Sequence, residues 1–151
     1  MTGMDTLPKE LRSRNMSRVR SEDTKPEKIV RSLLFRQGYR FRLHRKDLPG
    51  TPDLVLPKFR TVVFIHGCFW HHHACAHGAL PETRREWWTT KLEGNRKRDE
   101  INYARLIGEK WRVAVIWECA FTRMSRVAGD SARNCILDRL TAFFHSDDSF
   151  L

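Results

Sequence analysis

The chain has 151 residues, 40% of them hydrophobic and 30% charged, and its formal net charge at pH 7 is +10. This length and composition predict one folded domain large enough to bury a hydrophobic core. No run of about 18 apolar residues occurs, which excludes a membrane-spanning helix, and the N-terminus lacks the apolar segment of a secretory signal.

The strong positive charge indicates a polyanionic partner. Nucleic acid is the first candidate, and a merely basic soluble protein is the alternative. Because neither a signal nor a membrane span is predicted, we expect the protein in the reducing cytoplasm, with no membrane partner. In that compartment the four cysteines are expected to be metal ligands or buried thiols rather than disulfides.

The first 23 residues show no clear apolar period. They hold five basic side chains, with Met16 and Val19 as isolated apolar points. A solvated tail and an arm that closes over nucleic acid both fit this pattern. We divide the chain into an arm, residues 1–23, and a single domain, residues 24–151.

A helix is predicted from Thr24 to a stop at Gly38, since Thr24 is a suitable N-cap and Pro26 lies in the first turn. Glu27 lies three residues after the cap, as in a capping box. That pairing alone explains Glu27. The apolar face of this helix comprises Ile29, Val30, Leu33 and Leu34.

The remaining elements follow from apolar patterning. Residues 39–44 alternate as in a half-buried strand, "LVL" continues as a strand after the turn "DLPGTPD", and "TVVFI" is typical of a sheet interior. Helical sequence from about 83 to 108 is expected to break at Gly94-Asn95. "WRVAVIW" is a further strand, and the last helix runs from about Asp130 to Phe144 with Cys135 on its apolar face. This order predicts an α/β fold with a small mixed sheet flanked by helices.

The stretch "HGCFWHHHAC", from His66 to Cys75, concentrates side chains that ligate metals. Cys68 and Cys75 are seven residues apart, and His73 lies two before Cys75. Zinc takes four such ligands in a tetrahedron, and Cys119, which follows a predicted strand, is the natural fourth. A chance group of buried thiols and histidines is the alternative. Cys135 is expected in the core.

Other residues of this region are compatible with a second site. Asp53 ends "GTPD", where a carboxylate could hold magnesium, although Pro-Asp is also ordinary turn chemistry. A closed zinc site leaves His66, His71 and His72 free to serve this second site. Phe69 and Trp70 either cover the zinc site or enter a base stack as wedges.

The motif "HGCFWHHHAC" resembles the signature of the very-short-patch repair (Vsr) mismatch endonucleases. "RSRNMSRVRSEDTKPE" is similar to the family's N-terminal arm and first helix, "LPGTPDLV" to its catalytic aspartate segment, and "WRVAVIWECA" to its last zinc-ligand strand. The similarity covers about residues 11 to 121. It implies a restriction-endonuclease-like fold with a structural zinc site.

The resemblance also implies roles for individual residues. Asp53 and the backbone carbonyl of Ile65 would bind catalytic Mg²⁺, and His71 would transfer a proton near the attacked phosphate. His66 and Glu27 would hold waters of the magnesium ion or the phosphate, while His72 is expected to be exposed. The structural zinc would be held by Cys68, His73, Cys75 and Cys119.

The same resemblance implies a DNA-reading surface. Phe69, Trp70 and Trp88 would enter the duplex beside the mismatch, Met16 of the arm would insert from the other groove, and Trp87 would pack inward. A run of basic residues either binds DNA phosphates or prevents another strand from pairing with an exposed sheet edge. It comprises Arg36, Arg40, Arg42, Arg45 and Lys46.

The implied protein is a monomeric, magnesium-dependent endonuclease that nicks one strand of double-stranded DNA 5′ of the T in a T:G mismatch left by deamination of 5-methylcytosine. Mismatch-repair factors and a DNA polymerase are candidate partners. One alternative is a nicking or restriction nuclease of the same fold with a different DNA target. Another is a zinc-containing DNA-binding module without catalysis, against which Asp53, His66 and His71 argue.

Overall fold

The computed structural model describes residues 8–19, 21–122 and 129–151. Residues 1–7 and 20 of the predicted arm lie outside the described residues. Short 3₁₀ turns occupy Pro57–Phe59 and Ala76–Gly78. The helices and strands in chain order are α1 (Lys9–Ser17), α2 (Lys25–Arg36), β1 (Arg42–Leu43), β2 (Leu54–Leu56), β3 (Thr61–His66), α3 (Arg85–Gly108), β4 (Arg112–Trp117), α4 (Cys119–Thr122) and α5 (Gly129–Phe144).

The four strands form one mixed sheet in the order β1-β2-β3-β4. The first two pairs are antiparallel, whereas β3 and β4 run parallel over six residue pairs, from Thr61 opposite Arg112 to His66 opposite Trp117. Parallel neighbours end at the same edge of a sheet. The segments that follow His66 and Trp117 therefore leave the sheet side by side.

Side chains alternate between the two faces of this sheet and build a core on each. Leu54, Leu56 and Val63 face a cluster that includes Val30 and Leu34 of α2. Val55, Val62 and Phe64 face a second cluster with Leu106 of α3. The predicted α/β architecture, with a small mixed sheet between helices, is confirmed. Among the helices in the described part of the chain, none combines the length and apolar composition needed to cross a membrane.

Helix α3 is continuous, so the predicted break at Gly94-Asn95 is wrong. The helix runs for 24 residues, and Leu92 and Leu106 are fully buried on either side of Gly94. A glycine in a helix interior costs only about 1 kcal/mol. Burying a leucine side chain contributes more than that, about 1.5–3 kcal/mol, so packing on both sides of Gly94 keeps the helix continuous.

Three further expectations change. The strand predicted over residues 39–44 is reduced to Arg42–Leu43. Tyr39 and Phe41 precede this strand and pack against the core. The described part of the arm contains α1, and the side chains of Glu10, Leu11 and residues 13–17 are exposed. Cys135 is exposed rather than in the core, because α5 buries a narrower stripe that runs through Ile136, Leu140 and Phe143.

Candidate active site

The ends of β3 and β4 bring together a cluster of three cysteines and a histidine. Cys68 follows β3, Cys119 follows β4, and the loop between Cys68 and α3 supplies His73 and Cys75. Their ligand atoms, one from each residue, all lie within 4.8 Å of one another. The chain thus assembles a group able to hold a metal ion, and the four residues are those that the sequence predicts.

The loop around this cluster is held by its own backbone. The N–H of His73 donates to the carbonyl of Cys68 at 2.9 Å, and the N–H of Gly78 donates to that of Cys75 at 3.0 Å. A Cβ atom at Gly78 would lie 2.0 Å from the carbonyl oxygen of His73, so only glycine fits there. The His73 ring stacks on Trp117 of β4, with centroids 4.2 Å apart. Strand and loop therefore orient the imidazole together.

The donor set fits a soft or borderline metal ion. Cys68 is buried, and burial raises the pKa of its thiol to about 12. A thiol in such a place ionises readily only beside a cation. None of the four cysteines forms a disulfide, and Cys135 is exposed and is not part of the cluster. The cluster is thus suited to metal binding rather than to a disulfide.

A polar cleft of about 440 Å³ is lined by Asp53, by the end of β3 from Phe64 to His66, and by His71. Asp53 sits in it at the entry to β2, and its Oδ2 accepts a hydrogen bond from the N–H of Ile65 at 2.7 Å. Burial raises the pKa of Asp53 to about 6, although the bond from Ile65 acts in the opposite direction. Asp53 forms no ion pair with the lysines and arginines that the structure describes. A buried carboxylate of this kind suits a hard cation, which would offset the cost of its charge.

Glu27 is buried at the start of α2, with only 1% of its surface exposed. The predicted capping box with Thr24 is present, since each side chain bonds to the backbone of the other. The Glu27 carboxylate also accepts from Arg31 at 2.7 Å and lies 3.5 Å from Nε2 of His44. Nδ1 of His44 lies 3.9 Å from Asp53. Arg31 and His44, which the sequence did not single out, thus connect Glu27 to the cleft.

His66 and His71 stack on each other beside Asp53, with ring centroids 3.7 Å apart and planes inclined by 16°. Nδ1 of His71 lies 2.5 Å from the carboxylate of Asp99. Nε2 of His66 lies 2.5 Å from the hydroxyl of Tyr103. Burial lowers the pKa of His66 to about 3, so its ring is neutral at physiological pH.

Asp99 and Tyr103 are functional candidates that sequence reasoning missed. Asn95, Asp99 and Tyr103 lie at intervals of four residues along α3. The side-chain amide of Asn95 donates to the carbonyl of Trp70 at 3.0 Å. Residues at this spacing share one helix face. The four-residue spacing is visible in the sequence, but the partners His71 and His66 lie 28 and 37 residues away along the chain, so no local pattern identifies them.

An aromatic cluster lies next to this helix face. The Phe69 ring lies 5.1 Å from both Trp70 and Trp88, and these two tryptophans are 6.3 Å apart. Trp87 was expected to pack inward but is 45% exposed. Its ring contacts Trp88 edge-on at 4.8 Å near the N-terminus of α3, where the cationic side chains of Arg84 and Lys91 lie over the ring instead of core residues.

Two other predicted residues are placed as follows. Met16 lies on α1 and is 44% exposed. His72 was expected to be exposed, but it is half-buried in a left-handed conformation with φ of 52°, because the loop turns sharply there to place His73.

Comparison with known proteins identifies the family. Residues 4–77 match the family model of the DNA mismatch endonuclease Vsr. The chain is 58% identical over 115 residues to the type II nicking enzyme V.XorIIP of Xanthomonas oryzae pv. oryzae, a match that covers 76% of this chain and 85% of that protein. It is 42% identical over 127 residues to the DNA mismatch endonuclease Vsr of Escherichia coli (strain K12), covering 84% and 81%. A third relative, the type II nicking enzyme V.NmeAIP of Neisseria meningitidis, is 44% identical over 119 residues, covering 79% and 84%.

The mixed sheet flanked by helices agrees with the restriction-endonuclease-like fold of this family. The chain therefore belongs to the Vsr family of DNA mismatch endonucleases.

Proposed function

We propose that this protein nicks one strand of double-stranded DNA on the 5′ side of the T in a T:G mismatch that arises when 5-methylcytosine deaminates. The observation that carries the proposal is the loop between β3 and α3. It holds the aromatic pair Phe69 and Trp70 and, directly after them, His71 at the edge of the cleft that contains Asp53. A residue that reads DNA and a residue that transfers a proton are thus adjacent in one rigid segment.

The aromatic cluster supports mismatch recognition. Rings from two chain segments are already assembled, so little ordering is needed when they enter DNA. Opening a base step costs a few kcal/mol, and a wobble pair that stacks poorly is cheaper to open than a Watson–Crick pair. Stacking of a base on an aromatic ring contributes about 1–3 kcal/mol, which offsets one disrupted step. We propose that Phe69, Trp70 and Trp88 insert there, and Met16 from the other groove.

His71 is proposed to accept the proton of the attacking water. Its Nδ1 is bonded to the carboxylate of Asp99, which leaves Nε2 as the basic atom. Asp99 holds the ring in that orientation and stabilises the imidazolium that forms. The water oxygen would attack phosphorus as the bond from phosphorus to O3′ breaks, and O3′ would take a proton from solvent, leaving a 3′-hydroxyl and a 5′-phosphate.

The two metal sites are proposed to have different roles. Cys68, His73, Cys75 and Cys119 would hold zinc, since thiolates and imidazole are its usual ligands and a site with four protein ligands is structural. Asp53 and the backbone carbonyl of Ile65 would hold Mg²⁺, with His66 and Glu27 nearby. Mg²⁺, when bound, would supply positive charge that stabilises the transition state of phosphodiester hydrolysis.

The proposal is tested by nicking of end-labelled duplexes that differ only in one base pair, in several sequence contexts, with and without Mg²⁺. We expect cleavage of the T strand in T:G duplexes only when Mg²⁺ is present. Equal nicking of matched duplexes would favour the alternative, a nicking enzyme with a different DNA target, which the names of several relatives make the second candidate. Binding without nicking of any duplex would refute the endonuclease proposal.

A further inference from the structure

Tyr103 contributes a buried hydroxyl to the histidine pair of the cleft. It lies on α3, and its hydroxyl is 2.5 Å from Nε2 of His66, a side chain of which only 6% is exposed. Its ring packs between Phe64 and Phe150, at centroid distances of 5.2 and 5.6 Å. The ring contacts therefore serve packing, whereas the hydroxyl contacts His66, which lines the cleft.

The chemistry of the two groups decides which of them donates. A phenol is a stronger acid than the N–H of a neutral imidazole, and an imidazole nitrogen is a stronger acceptor than a phenol oxygen. Burial raises the pKa of Tyr103 far above its ordinary value, and the nearby carboxylates of Asp99 and Asp53 act in the same direction. The hydroxyl thus keeps its proton and donates it to Nε2 of His66.

A neutral imidazole carries one ring proton, so an Nε2 that accepts leaves that proton on Nδ1. The stacked partner has the opposite arrangement. His71 donates from Nδ1 to Asp99, which leaves its Nε2 free as an acceptor. Two parallel rings, 3.7 Å apart, are thereby held in complementary tautomers by two residues of one helix.

We propose that Tyr103 is a positioning residue that holds His66 in the Nδ1–H tautomer, so that His66 offers a hydrogen-bond donor to the scissile phosphate while His71 accepts the proton. The part of this inference that concerns the phosphate rests on the proposed function. The two histidines of the cleft then have different roles. His66 binds and orients the phosphate, and His71 performs the proton transfer.

The tautomer is measured by ¹⁵N NMR of the full-length, zinc-loaded protein labelled at histidine, with the His66 signals assigned from a His66→Gln variant. We expect the Nδ1–H pattern at His66 in the wild type and a loss of that preference in Tyr103→Phe, which keeps the ring. Tyr39→Phe is the matched control. It changes the other tyrosine of the chain, which packs on Phe59 and Phe144 in the opposite core, and should alter nothing in the cleft.

Kinetics separate positioning from folding. Tyr103→Phe should lower the single-turnover nicking rate of T:G duplex about 10-fold, the usual effect of removing such a partner. The Kd for that duplex and the thermal midpoint should stay near wild type. In a His66→Ala background, adding Tyr103→Phe should cost nothing more, because its effect acts through His66.

An Nε2–H pattern at His66 in the wild type would overturn the inference, as would an unchanged tautomer and rate in Tyr103→Phe. A further 10-fold loss in the His66→Ala background would show that Tyr103 acts by another route. Failure of the proposed function has a different signature. The wild type would then not nick T:G duplex, whereas the tautomer at His66 would still depend on Tyr103.

Discussion

The Nδ1 atom of His71 lies 2.5 Å from the Oδ2 atom of Asp99, so a carboxylate in the middle of α3 orients an imidazole in the loop after β3. The same helix face binds the carbonyl of Trp70 through Asn95 and the ring of His66 through Tyr103. One helix thus orients the residues proposed to read DNA and those proposed to cleave it.

Replacing Asp99 with Asn should lower the nicking rate by about 10- to 100-fold, because an amide can donate to His71 Nδ1 and favour the wrong tautomer. Affinity for T:G duplex should change little. The neighbouring Glu100→Gln removes an exposed carboxylate that pairs with Arg96 and serves as the control for charge. An Asp99→Asn protein that nicks within twofold of wild type would remove Asp99 from the mechanism.

Loss of one ligand should unfold the metal cluster. Cys119→Ala is expected to lose bound zinc and most of the folded protein together, since the binding free energy of a structural metal is part of the folding free energy. Metal content by mass spectrometry and the thermal midpoint report the two effects. Cys135→Ala, at an exposed thiol outside the cluster, should retain both. A folded, active Cys119→Ala protein without metal would contradict a structural role.

Removing the carboxylate of Asp53 should separate binding from cleavage. Asp53→Ala is expected to bind T:G duplex with near wild-type affinity and to lose nicking by at least about 100-fold, because the proposed Mg²⁺ would lose its carboxylate ligand. Asp47→Asn, at an exposed carboxylate on the same loop, is the control. Nicking by Asp53→Ala at near the wild-type rate would place the catalytic metal elsewhere.

The same carboxylate should make stability depend on pH when no Mg²⁺ is added. The pKa of Asp53 is about 6 in the folded chain against 3.8 for the free group, so the folded state binds the proton more tightly. The free energy of unfolding of wild type should therefore fall relative to Asp53→Asn as pH rises from about 4 to 6, by up to about 3 kcal/mol, and level off above.

Urea denaturation at a series of pH values measures this difference without a chelator, which would also remove zinc. Added Mg²⁺ at pH 8 should stabilise wild type and leave Asp53→Asn unchanged. If the free energies of unfolding of wild type and Asp53→Asn differed by the same amount at every pH in this range, ionisation of Asp53 would not destabilise the fold.

The aromatic pair should affect mismatched DNA selectively. Trp70→Ala is expected to weaken binding to T:G duplex by about 5- to 150-fold, the equivalent of one stacking contact, and binding to matched duplex far less. Zinc content should not change. Phe35→Ala, at another exposed ring, should leave both affinities intact. Equal losses on both duplexes, or loss of zinc, would mean that the ring packs on the metal loop instead of entering DNA.

The sequence by itself determined the elements that depend on local signals. Three features are encoded within short stretches of chain. They are the capping box of Thr24 and Glu27, the apolar strands β2, β3 and β4, and the ligand spacing of Cys68, His73 and Cys75. Such signals act over a few residues, through propensity, capping and periodicity. The family motif likewise predicts the residues of the metal cluster from the sequence alone.

Only the tertiary structure decided which distant residues complete the site. His71 meets Asp99 across 28 positions, His66 meets Tyr103 across 37, and Cys119 meets Cys68 across 51. The first two contacts join α3 to β3 and the loop after it, and the third follows from the parallel pairing of β3 with β4. Helix α3 is also continuous through Gly94, which burial of Leu92 and Leu106 stabilises against the local preference of glycine. The burial of Leu92 and Leu106 depends on residues distant in the chain, so no local pattern around Gly94 could reveal it.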